Sequence, residues 1–174
     1  MKPNPRWFVP LLANVLLLLL LAEVNDLMAV ASVYLILAGL LIPFPALQLK
    51  PVHGLIVIIP SALLWEGAHP SPFTLGFVGI LALYAVATGI RFRLRREDRQ
   101  QAALLAVLLN AAFIVGLSIV LAGAQTLQPV YWSRVFTDLL LSSLVLLPVA
   151  FWFFDLQRAS LQLLNVDIQS EDVE

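Results

Sequence analysis

The sequence predicts an all-α membrane protein, six transmembrane helices in one compact bundle, and three observations carry that prediction. Hydrophobic residues make up 61% of the 174-residue chain and charged residues only 12%, whereas soluble domains are roughly 45–50% apolar. Hydrophobic segments separated by short loops fill the chain up to about residue 156. Nine of the ten Lys and Arg fall in loops or tails that alternate to one side of those segments, as the positive-inside rule requires of a multi-pass protein.

A membrane-crossing helix needs about 20 predominantly apolar residues. The first span covers about 7–22, with Lys2 and Arg6 before it and Glu23 and Asp26 after it. No small-residue cleavage site follows, so it reads as a retained helix and not a signal peptide. The second covers about 28–47, with Pro43 and Pro45 bending or ending it near the membrane boundary. The third, about 52–65, is the weakest, being short and carrying Pro60. The fourth covers 73–90, the fifth 102–124 and the sixth about 130–154. Residues 157–174 are expected as a cytoplasmic tail, its start (156–164) a short amphipathic helix on the membrane face and its acidic end disordered.

Six spans place Lys2, Arg6, Lys50, Arg91, Arg93, Arg95, Arg96, Arg99 and Arg158 on one side and leave Arg134 on the other. That side is the cytoplasm, so both termini are expected there, in a bacterial inner-membrane topology. A five-span chain would put Lys2 and the arginine cluster on opposite sides.

Several function classes drop out. A net charge of -1 with one short basic loop does not suit nucleic acid. Without cysteine there is no disulfide, thiolate site or cysteine nucleophile. His53 and His69 fall on opposite predicted sides, so they cannot share a metal. No phosphate loop or GxSxG elbow occurs. The chain is therefore expected to be non-catalytic and cofactor-free.

Polar residues inside apolar spans are the natural candidates for interaction, because each is costly in hydrocarbon unless partnered. Asn14 and Asn110 lie near mid-span and are expected to hydrogen-bond across helices. Gly76, Gly79, Ala82, Ala85 and Gly89 form a small-residue stripe for close helix approach, in the bundle core or in a homodimer. Arg134 and Asp138, four residues apart, share a helical face, either neutralising each other or meeting a partner. Arg93, Arg95 and Arg96 lie in the loop RFRLRRED, an orientation anchor or a docking site for anionic lipid or a cytoplasmic partner.

The order of these features resembles the rod shape-determining membrane protein family MreD, over most of the chain. The stretch LLWEGAHPSPFTLG carries Glu66 where that family has Asp, then Pro72 and Leu75-Gly76 in the turn that opens the fourth helix. A basic run, Arg91 to Arg99, closes that helix; VYWSR (Val130 to Arg134), Leu147-Pro148 and Phe151 to Phe154 match the last one. Pro60-Ser61 stands where the family has a glycine-rich approach, which marks a divergent member. The resemblance implies a scaffold of the cell-elongation machinery that binds MreC and links MreB filaments to the peptidoglycan synthases RodA and penicillin-binding protein 2. Glu66, Pro72, Leu75, Gly76, Arg134 and Asp138 would serve the outer face and the arginine loop the inner one. Because MreD is similar to the S components of energy-coupling-factor vitamin transporters, a substrate-binding S component is the rival. The first span lacks the Ala-x-x-x-Ala pattern such a component often carries.

Overall fold

A computed structural model describes residues 5–31, 33–69, 74–94, 98–122 and 128–164. Helices α1 (Phe8–Met28), α3 (Pro51–Ala68), α4 (Leu75–Ile90), α5 (Arg99–Ala122) and α6 (Pro129–Leu163) form the bundle, with a short helix α2 (Pro43–Gln48) between the first two long ones. No strand occurs among the described residues. Among the described residues five helices are long and apolar enough to cross a membrane, counting the 3₁₀ turn Arg91–Arg93 as the end of α4. The protein is a multi-pass membrane protein.

Each long helix buries one stripe and leaves the rest of its apolar surface outward. On α1 the buried residues Asn14, Leu17, Leu21 and Asn25 recur at helical spacing, while Leu12, Leu16, Leu19 and Leu20 are exposed. Apolar side chains on the outer surface are stable only in lipid, which removes the ordinary penalty for their exposure. Prolines open α2, α3 and α6, where the missing N–H costs nothing. Pro60 lies inside α3, which nevertheless runs unbroken for 18 residues. Beside it the Ser61 hydroxyl donates to the Val57 carbonyl at 2.8 Å.

The expectation of a second helix over 28–47 is corrected. After a 3₁₀ turn at Ala29–Ala31 the chain is irregular through residues 33–37, makes another 3₁₀ turn at Ala38–Leu40 and becomes helical only at Pro43. A single helix through 28–47 would hold Pro43 and Pro45 in its interior, at ~3 kcal/mol or more each. Breaking the chain at residue 42 moves both into the first turn of α2. This segment forms the centre of the bundle: residues 37–47 are buried without interruption, and Leu40, Leu41 and Ile42 are wholly enclosed. It runs antiparallel to α1, since Asn25 meets Leu35 and Asn14 meets Leu41, and so returns the chain to the end where α1 began.

The α6 helix also differs from expectation. It continues for 35 residues, about 52 Å, through residues 156–163, where a separate surface helix was expected. Gln157 and Leu161 are buried in the bundle, which fixes that last stretch in place.

Candidate functional site

Non-helical backbone inside an apolar bundle needs hydrogen-bond partners that neither water nor its own turns supply. Here the partners are side chains from three helices. Asn25 of α1 both donates to the Leu35 carbonyl (3.0 Å) and accepts the Leu35 N–H (2.8 Å). Asn110 of α5 accepts the Gly39 N–H (3.0 Å) and donates to the Ile36 carbonyl (2.7 Å). Ser142 of α6 accepts the Ile36 N–H (3.0 Å), and one turn earlier on the same helix Asp138 faces the Tyr34 backbone. Asn14 of α1 donates toward the Leu41 carbonyl (3.3 Å) and the Ser61 hydroxyl of α3 (3.1 Å). The alternation is that of extended chain: the backbone at 34 and 36 faces α6, while both polar groups of 35 face α1.

Asn14 and Asn110 therefore do bond across elements, chiefly to backbone. Gly39 is the fit that makes the clasp close, because an added Cβ would collide with the Asn110 backbone. Asn25, Ser142 and Gly39 were not singled out from the sequence, although a polar residue on an otherwise leucine-rich stripe was the available signal.

At the end of the bundle where α3 finishes and α4 starts, Glu66 accepts the Phe77 N–H at 2.9 Å. Its carboxylate thus satisfies an orphan donor at the first turn of α4 and sits at the positive end of that helix. Gly76 is buried where a Cβ would strike the Trp65 ring and lie 2.6 Å from the Glu66 carboxylate. Leu75 opens α4. Thr74 before it holds a left-handed backbone, φ 53°, a strained conformation for a β-branched residue. Pro72 lies outside the described residues.

The same end carries an aromatic chain. Trp65 stacks on His69 (4.7 Å between centroids), Phe113 of α5 meets Trp65 edge-on (5.0 Å), and Tyr34 meets His69 edge-on (5.4 Å). His69 Nδ1 lies 3.0 Å from the Trp65 carbonyl, as its donor. Tyr34 is the link: its ring contacts the end of α3 and its backbone lies beside Asp138 on α6. Arg134, one turn from Asp138, is exposed and acts on it electrostatically. The structure thus brings Glu66 and Asp138 to one end through Tyr34, which the sequence reading had not marked, and His69, which it had weighed only as a metal ligand.

Other candidates separate. Arg93 lies at the opposite end, and Arg95 and Arg96 fall outside the described residues. The small-residue stripe of α4 divides: Gly79 faces Phe113, with 3.1 Å to an added Cβ, but Ala82 and Gly89 are exposed. Gly79, Ala82 and Gly116 line an open groove of about 290 Å³ between α4 and α5, with an apolar wall throughout. Among the described residues no group of three His, Asp or Glu side chains is placed to hold a metal.

Comparison with protein families, with curated proteins and with solved structures finds no match for this chain.

Proposed function

We propose that the protein is a non-catalytic scaffold of the bacterial cell-elongation machinery, set in the cytoplasmic membrane with both termini inside. In this reading it binds MreC and so helps couple MreB filaments to RodA and penicillin-binding protein 2. The end that carries Glu66, Tyr34, His69 and Asp138 is the outward face. The observation that carries the reading is the Glu66–Phe77 bond together with the Tyr34 link between α3 and α6. A rigid surface built from three helices is what a docking protein needs, because little ordering entropy is lost on binding. The order of MreD-like features in the sequence supplies the partner.

The test is recovery of tagged protein from its native membrane in mild detergent, followed by mass spectrometry. MreC-like and cell-wall synthase subunits should copurify, and Glu66→Lys or Arg134→Ala should reduce their yield. Recovery of a transmembrane coupling subunit with paired ATPases would instead make the protein a transporter S component and end the scaffold reading.

A further inference from the structure

The end of the bundle opposite that surface is rich in basic side chains among the described residues. Arg6, Lys50, Arg91, Arg93, Arg99 and Arg158 lie there, against Asp98 and Asp155 among the described residues. Both acids are engaged: Asp98 accepts the N–H groups of Gln100 and Gln101 at the start of α5, and Asp155 accepts Arg99 at 2.9 Å. The arginines at the end of α4 have no such carboxylate among the described residues.

Their placement is specific. The Tyr84 hydroxyl bonds the carbonyl of Pro51, the first residue of α3, and Arg91 lies seven residues further along α4, about 10 Å beyond that level. The 3₁₀ turn Arg91–Arg93 therefore closes α4 on the side where α3 begins. Phe92, between the two arginines, is 79% exposed, and the Arg91 guanidinium lies 4.8 Å over its ring. Arg91 Nε is enclosed and has no hydrogen-bond partner. A guanidinium held on an aromatic face beside a second arginine is preorganised for a tetrahedral oxyanion. An apolar ring projecting from the same turn fits only where the oxyanion comes attached to acyl chains.

We infer that Arg91 and Arg93, with Phe92 between them, form a headgroup site for an anionic phospholipid of the adjacent leaflet. The guanidiniums take the phosphate and Phe92 lies among the first carbons of the acyl chains. The site serves whatever partner occupies the other face, so it stands independently of the scaffold reading.

The experiment uses the full chain, purified and delipidated in detergent, then offered equimolar phosphatidylglycerol and phosphatidylcholine, with retained lipid counted by native mass spectrometry. Wild type should retain phosphatidylglycerol over phosphatidylcholine by about tenfold. Arg91→Lys/Arg93→Lys preserves charge and topology signals but removes the planar fork, and should bring the two lipids near parity. Phe92→Ala, at an exposed position that the fold does not need, should lower the preference severalfold. Equal retention of both lipids by wild type overturns the proposal. So does a preference that survives in the double lysine variant, because charge alone then explains it.

Discussion

Asn110 and Gly39 are matched to one another: the Asn110 side-chain carbonyl accepts the Gly39 N–H at 3.0 Å, and only a residue without Cβ lets the two backbones come that close. Gly39→Ala should therefore be among the most damaging single substitutions. Its Cβ would also lie 2.5 Å from the Ala106 carbonyl, and overpacking against immobile backbone costs ~1–3 kcal/mol or more. Thermal unfolding in detergent should show a clear fall in midpoint; an unchanged midpoint would mean that the two elements are not closely apposed.

The three clasping asparagines should rank in importance. Asn110→Ala and Asn25→Ala each strand two backbone groups of the broken segment, at ~1–3 kcal/mol per group where water is absent. Asn14→Ala should cost less, since its Oδ1 has no partner and its bond to Leu41 is long, 3.3 Å. Unfolding midpoints of the three variants, measured side by side, check the order.

Glu66 separates structure from binding. Glu66→Gln keeps an acceptor for the Phe77 N–H, so stability should fall by no more than ~0.5 kcal/mol, whereas Glu66→Lys loses both the bond and the favourable helix-terminus charge, at ~1–2 kcal/mol. A Gln variant that folds normally but recovers less partner would locate the carboxylate in the docking surface.

The Arg99–Asp155 pair is a contrast. Its side chains are 57% and 43% exposed, and such pairs contribute roughly 0–1 kcal/mol. Arg99→Ala should shift the unfolding midpoint far less than Gly39→Ala, and a comparable shift would show that the pair is shielded from solvent.

Much of the architecture was legible in composition and spacing. Four of the five long helices follow from runs of apolar residues of crossing length, and Asn14 and Asn110 were marked because a lone amide at mid-span needs a partner. Residues 28–47 misled because they are as apolar as a spanning helix, and hydropathy sums side-chain transfer without asking how the backbone is hydrogen-bonded. The third span looked weak for the converse reason: Pro60 counts against a helix locally, while the next residue, Ser61, ties the segment to α1 through Asn14. Tyr34 gave no signal and His69 was weighed only as a metal ligand, because aromatic residues near a span end are ordinary, and what distinguishes these two is their contact with each other.

By itself the sequence determined that this chain lives in a membrane, that it is helical, and where its charges divide, because transfer energies and charge placement are properties of residues taken along the chain. Only the tertiary structure decided that the centre of the bundle is a broken segment and that Asn25, Asn110 and Ser142 hold it. Those bonds join residues up to 106 positions apart, and whether a buried polar group is satisfied or stranded depends on what the fold brings beside it.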